Sequence, residues 1–324
     1  ILRNNRFFKP FESIVKMYGI PTHNEIDPTP FIALTYILMF GAMFGDIGQG
    51  AILALAGFIM YKTRKTPLGW ILGCVGVSSV VFGFLYGSIF GYEHLITPLW
   101  RPPMENISQL LVVAVGFGAV MVVTAIIFNI INSIKAWDYG RLLFDKNGLA
   151  GLVFYGGVLG IVLSALSSGN LTPSFPVVIG VVIIPLLAML LKEKLERILF
   201  RHGSENQHGG SFAESFFEVF EAVLGFLSNT ISFVRVGAFA LSHAGLALAI
   251  WTLYGMVGKI GGIVVLIIGN ILIIGLEGLI VAIQGLRLQY YELFSRFFTG
   301  NGREFKTIRV CENLKLYNNN QITG

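Results

Sequence analysis

The sequence predicts an all-α, polytopic membrane protein with eight transmembrane helices, the last two long and strongly tilted. Three observations carry this expectation. Hydrophobic residues make up 54% of the 324-residue chain and charged residues only 13%. Apolar runs of roughly 20 residues recur, the length an α-helix needs to cross ~30 Å of hydrocarbon. The polar segments between the runs also alternate in charge. Lys62-Thr-Arg-Lys65, Lys135 through Lys146, Lys192 through Arg201 and Arg296 through Lys315 carry Lys/Arg. The connections around His94–Met104, Ser167–Ser174 and Tyr254–Gly262 carry only Arg101 and Lys259. Basic loops are retained in the cytoplasm, so the net charge of +5 reflects orientation in a membrane and not a nucleic-acid partner.

Each element follows from this alternation. Residues 1–30 form a lead-in whose Arg3, Arg6, Lys9 and Lys16 read as cytoplasmic, like the 62–65 loop. The stretch 31–61 must therefore cross an even number of times, as a short hairpin turning near Gly45-Asp-Ile-Gly48. Single crossings follow over Leu68–Phe90, Ile107–Ile134, Gly148–Leu166 and Val177–Leu191. A polar, Gly-rich break at Gly203–Gly210 precedes Ser211-Phe-Ala-Glu214, which reads as a capping box at the start of the seventh helix. That helix, Phe212–Gly258, would be ~70 Å long at 1.5 Å per residue, and the eighth, Gly261–Thr299, ~58 Å. Both exceed the bilayer and must tilt or project from it, as suits a pair wrapping a curved neighbour. Residues 31–299 are thus the eight-helix domain, and residues 300–324 a cytoplasmic tail. Cys74 lies in a span and Cys311 in the tail, so no disulfide framework is expected. The chain opens at Ile1 with no cleavable signal peptide and reads as the membrane part of a longer protein.

Charge within the spans is the functional signal. Arg235 is the only formal charge between Ala222 and Gly258, and Glu277 is the only one between Ile260 and Arg287. An intramembrane charge costs from a few to more than ten kcal/mol, so it is usually retained for a task. Glu221, Ser228, Ser232, Arg235 and Ser242 are spaced to share one face of the seventh helix. Serines also serve ordinary helix packing, and Glu221 is equally compatible with a solvated interfacial face alongside Glu214 and Glu218. Asn270, Glu277 and Gln284 recur at heptad spacing on the eighth helix, with Arg287 one turn beyond Gln284. Glu292 and Arg296 follow closely, so an ordinary interfacial arginine is the competing reading for Arg287. His243, two turns beyond Arg235, is either functional or a packing histidine. The five histidines have no metal-ligand spacing, and no phosphate-binding glycine loop or catalytic nucleophile stands out.

At these residues the chain resembles the stator membrane subunit of V-type and archaeal A-type rotary ATPases, called subunit a or subunit I. The likeness rests on Ser228-Asn-Thr-Ile-Ser-Phe-Val-Arg235-Val-Gly-Ala-Phe-Ala-Leu-Ser-His243 and on Gly285-Leu-Arg287-Leu-Gln-Tyr-Tyr-Glu292. It extends to Tyr18-Gly-Ile-Pro, Asp27-Pro-Thr-Pro-Phe31, Phe44-Gly-Asp-Ile-Gly-Gln-Gly50 and Phe298-Thr-Gly-Asn-Gly302. The wording after Arg235, and Gln49 where many eukaryotic members have histidine, favour the prokaryotic branch.

The resemblance implies a subunit that is not catalytic by itself and binds no cofactor, with H⁺ or Na⁺ as the transported ion. It implies that Arg235 and Arg287 face a rotor ring of proteolipid c or K subunits. Glu221, His243, Glu277, Ser228, Ser232 and Gln284 would belong to two ion half-channels. The other implied partners are peripheral-stalk subunits reached through a missing N-terminal domain, a nearby central-stalk subunit and the lipid bilayer. The implied location is the plasma membrane, with both ends of this fragment cytoplasmic. Two other classes compete: a secondary transporter, which would bury its arginines inside its own bundle, and a non-conducting assembly scaffold.

Overall fold

A computed structural model describes residues 4–22, 25–92, 96–100, 102–137, 139–168, 179–192 and 212–298, with Gly300 and Gly302. The described residues are overwhelmingly helical, with isolated β-bridge residues at Ile20 and at the Ile89–Tyr92 pair. A 3₁₀ turn, Lys9–Phe11, leads into α1, Glu12–Tyr18. The bundle then comprises α2 Thr29–Met43, α3 Ile47–Arg64, α4 Pro67–Tyr86, α5 Ile107–Lys135, α6 Tyr139–Phe144 and α7 Leu149–Ser168. After a π turn at Ile179–Ile183 come α8 Ile184–Leu190, α9 Phe212–Ser232, α10 Val234–Val257 and α11 Lys259–Leu272. The π turn Ile273–Glu277 joins α11 to α12, Gly278–Leu288, and a second, Gln289–Phe294, leads into α13, Ser295–Phe297.

Among the described residues, five helical stretches are long and apolar enough to cross a membrane: Pro67–Tyr86, Ile107–Lys135, Leu142–Ala165, Ala213–Val257 and Lys259–Phe297. Thr29–Met43 and Ile179–Leu190 are shorter apolar helices. The protein is therefore a multi-pass membrane protein.

The expected hairpin is present, with its turn at Phe44–Asp46. Its two arms run in opposite directions along α4. Gly41 of α2 abuts Ser78, and Tyr86 Oη donates to the Ala42 carbonyl (3.1 Å), so α2 and α4 run the same way. Gly50 of α3 faces Ser79 and Gly57 faces Gly73, so α3 runs back. A Cβ at Gly57 would lie 2.3 Å from the Gly73 nitrogen, so only glycine permits this approach of α3 and α4. Ile32, Ala33, Tyr36, Met39, Phe40 and Met43 bury most of α2, which makes the shortest apolar helix of the N-terminal half the centre of the core. On its far side Tyr36 Oη donates to the Ala282 carbonyl (3.2 Å), and Gln289 Nε2 donates to Thr35 Oγ1 (2.6 Å), which ties α2 to α12.

Asp46 holds the end of this assembly where the hairpin turns. It caps α3, accepting the Gln49 N–H at 2.9 Å, and is completely buried. Its carboxylate also accepts from Ser88 Oγ (2.7 Å), Phe90 N–H (3.0 Å) and Gly91 N–H (2.8 Å). The 88–91 loop so fixed receives α10: Trp251 Nε1 donates to the Phe90 carbonyl at 2.9 Å, and Gly91 abuts Ala247. Sequence reading placed Asp46 in a turn but not at this node.

Three expectations change. The seventh helix runs over Ala213–Val257 but is interrupted by a single turn residue, Phe233, which separates α9 from α10, ~31 and ~36 Å long by helical rise. The eighth carries two π turns. Arg296 is not a loop charge but is buried beside the core, its Nη1 3.3 Å from Asn147 Oδ1 and its guanidinium 4.6 Å over the Phe226 ring. The Gly203–Gly210 break, the Ser211 cap, the 169–178 connection, Cys311 and nearly all of the 300–324 tail lie outside the described residues.

Asp46→Ala should leave four donors without their acceptor, three of them in the 88–91 loop. The expected cost is about 3–5 kcal/mol, that of breaking a buried charged hydrogen-bond set. Thermal unfolding in detergent should show a markedly lower midpoint, and limited proteolysis should reveal new cleavage between residues 87 and 103.

Candidate functional site

The site forms where α9, α10 and the eighth-helix segments run antiparallel. Their pairing is set by two polar contacts, Ser232 with Glu292 toward one end and His243 with Glu277 toward the other. His243 Nδ1 lies 2.8 Å from Glu277 Oε2, and both residues are buried. The imidazole also sits 4.6 Å from the Phe44 ring, at the hairpin turn. His243 Nε2 and Glu277 Oε1 are enclosed with no partner in the chain, so each retains hydrogen-bonding capacity beyond the pair. Glu277 closes a π turn, a distortion frequent at functional sites.

Two turns further along, the same seam continues. Gln49 is fully buried, and its Nε2 donates to Asn270 Oδ1 at 2.8 Å while its Oε1 is left without a partner. Asn270 and Glu277 are seven residues apart, so their side chains follow one face. Sequence analysis gave Gln49 no structural task. Its place in the seam could have been suspected from a polar amide in an otherwise apolar helix.

Arg235 and Arg287 occupy the other end. Arg235 is half-buried, with Nη1 enclosed and unpartnered, and Arg287 is exposed. At 100° per residue Arg287 lies about 80° around the helix from Glu277, which accounts for one facing outward while the other faces the core. Around Arg287 the outward surface is apolar: Leu279, Ile280, Ile283 and Tyr291 are all exposed. Glu292 sits behind this surface, buried, bonded to Ser232 Oγ and within the electrostatic reach of both arginines. No ion pair shorter than 4.0 Å joins it to either among the described residues. Gln284 is half-buried, with an enclosed, unpartnered Oε1.

The remaining expected residues lie nearer the surface. Ser228 and Ser242 are exposed. Glu221 is exposed too, 3.6 Å from Lys146 Nζ across a mostly solvated pair. Ser232 and Arg235 are brought together with Arg287 through Glu292, whereas Glu221 belongs to a separate surface cluster with Lys146, Asp145 and Lys192. Among the described residues no group of three His, Cys, Asp or Glu side chains could hold a metal ion.

A tight turn in the seventh helix immediately precedes Arg235. Phe233 is fully buried, and its N–H reaches back to the Thr230 carbonyl (3.3 Å) in a tight turn two residues before the arginine. Its ring lies on Gly118 of α5, where a Cβ would meet it at 2.3 Å.

Fold and site together define a class: a multi-pass helical membrane protein that presents arginine on an apolar outer face, backed by buried carboxylates. Sequence comparison gives the family. Residues 1–96 and 193–310 match the model of the V-type ATPase 116kDa subunit family, and the chain belongs to that family. It is 30% identical over 325 residues to the A-type ATP synthase subunit I of Pyrococcus horikoshii, covering 94% of this chain and 46% of that protein. With the subunit of the same name from Saccharolobus solfataricus it shares 30% identity over 378 residues, 95% of this chain and 54% of that one. The V-type ATP synthase subunit I 2 of Treponema pallidum is 32% identical over 182 residues, 48% of this chain and 40% of its own length. The chain spans about half the length of the archaeal relatives it matches.

Gly118→Val should push Phe233 off α5 and shift the turn that carries Arg235. Overpacking of this kind costs typically 1–3 kcal/mol. A lowered unfolding midpoint in detergent, largely restored by a second substitution Phe233→Leu, is the expected pattern.

Proposed function

We propose that this chain is the ion-translocating stator membrane subunit of an A/V-type rotary ATPase or ATP synthase, non-catalytic by itself, working against a separate ring of proteolipid c or K subunits. The observation that carries the reading is the outward placement of Arg287, next to half-buried Arg235, on an apolar face. A secondary transporter would enclose such arginines in its own bundle. An assembly scaffold would have no use for the enclosed, unpartnered polar atoms behind them. The opposite directions of α2 and α3 along α4 support a hairpin that returns to its starting side, as this reading's eight crossings of the plasma membrane with both ends cytoplasmic require.

The chemistry follows from the cost of charge in lipid. A ring carboxylate facing hydrocarbon must be neutral, either protonated or paired with a bound cation. Beside Arg235 and Arg287 its ionised form is favoured, so the ion leaves into a hydrated half-channel. The same positive charge bars direct passage between the two half-channels. His243 and Glu277 lie about 12 Å and 15 Å along their helices from the nearest arginine by helical rise, and on this reading they line the external pathway with Gln284. Glu221, Ser228 and Ser232 serve the cytoplasmic one. The peripheral stalk would be reached through an N-terminal domain and the central-stalk rotor subunit would lie nearby, while H⁺ or Na⁺ is cargo and no cofactor takes part. Each charge moved across 100 mV exchanges about 2.3 kcal/mol, so several must pass per ATP.

The test is ATP-driven ion uptake into proteoliposomes by the reconstituted complex, with and without sodium and a protonophore. Arg235→Ala should assemble yet reduce uptake to background. Arg235→Lys should fail to restore it, because an ammonium lacks the guanidinium's fork and its nearly permanent charge. Wild-type uptake in a well-assembled alanine variant would overturn the proposal.

A further inference from the structure

Glu292 is the least expected charge in the molecule. It follows Arg287 by five residues, so an ordinary helix would place it about 140° away, on the opposite flank. It lies within the π turn Gln289–Phe294 and is buried against α9. There Ser232 Oγ donates to its Oε1, while Oε2 is enclosed with no partner in the chain. Arg235 Nη1 is likewise enclosed and unpartnered. The charges of Arg235 and Arg287, from two different elements, both act on this carboxylate, yet neither closes an ion pair with it. The third nearby cation, Arg296, is engaged with Asn147 and the Phe226 ring.

We propose that Glu292 is a resident counter-carboxylate that offsets part of the charge of Arg235 and Arg287, so that a visiting ring carboxylate is attracted strongly enough to ionise but weakly enough to leave. The proposal deepens the stator reading and rests on it. Two guanidiniums and one carboxylate leave a single net positive charge. Without Glu292 the arriving carboxylate would meet two uncompensated cations in a medium where pairing is strong, and the pair would have to break at every step. Unpaired Arg235 Nη1 and Glu292 Oε2 fit this role: a closed Arg–Glu pair would shut the arginine to the ring. Ser232 acts by tethering the carboxylate behind the outward face. Both are positioning residues.

The test uses the whole reconstituted complex and measures ATP-driven ion uptake together with ATP hydrolysis. Glu292→Gln should slow both about tenfold or more, the effect of ~1.4 kcal/mol on one barrier, with ions per ATP and the KM for ATP unchanged. Glu292→Asp, which keeps the charge, should recover most of the rate. Ser232→Ala should slow uptake about threefold, as the loss of one hydrogen bond would. Unchanged coupling with a lower rate separates this role from packing, which would impair assembly or uncouple the motor. Wild-type turnover in Glu292→Gln overturns the proposal, as does equal uncoupling in the Gln and Asp variants. If Glu292→Gln does not assemble, a wild-type rate in Ser232→Ala overturns it and a slower, still coupled rate supports it. Absence of uptake in the wild-type complex would instead defeat the stator reading itself.

Discussion

A guanidinium at the depth of lipid tails is tolerated only where polar groups are fixed behind it, and much of this fold can be read as meeting that requirement. The groups cannot come from lipid, so they come from neighbouring helices whose own polar atoms must be satisfied or deliberately left available. Arg287 points into an apolar outer surface. Behind it the chain supplies Glu292, Ser232 and half-buried Arg235 from α9, α10 and the π turn after α12. Helix eight departs from regular α geometry twice, and each departure carries a buried glutamate. Glu277 and Glu292 face the core, while Leu279, Ile280 and Ile283 are exposed along the same helix.

The supports for this pair of helices lie far away in sequence. Asp46 ties the loop 88–91, and that loop receives Trp251 and Ala247 of α10. Phe233, seated on Gly118 of α5, holds the turn just before Arg235. Short α2 packs against α4, α10 and α12, and its Tyr36 and Thr35 meet Ala282 and Gln289. The N-terminal half is therefore a brace for the last two helices. This explains how a site carried by residues 228–292 depends on glycines and an aspartate more than one hundred residues earlier.

Much of this was legible in the sequence, for identifiable reasons. Hydropathy and loop charge gave the membrane class and the hairpin, because both depend only on transfer energies. Isolation in apolar helix marked Arg235 and Glu277, and Arg287 stands exposed among apolar side chains. The His243–Glu277 contact was not derivable, since a helix-by-helix reading cannot set the register between two helices. Glu292 was passed over as part of a solvated end, because a π turn leaves no mark on periodicity strong enough to read. Arg296 was misplaced for the same reason. The break at Phe233 has no proline or glycine to announce it; it is imposed by packing against α5. Glu221 went the other way: its spacing fitted the polar stripe, yet its carboxylate is exposed beside Lys146.

The central claim is that the outward face around Arg287 meets a separate ring. Disulfide cross-linking in the assembled complex tests it directly, with one cysteine beside the ring carboxylate and another placed in turn at two positions two residues apart. Ile283 is exposed and Val281 is completely buried, although they differ little in depth. The account predicts a cross-link to the ring from position 283 and none from position 281. Cross-linking from 281, or from neither while other faces of the subunit react, would contradict it.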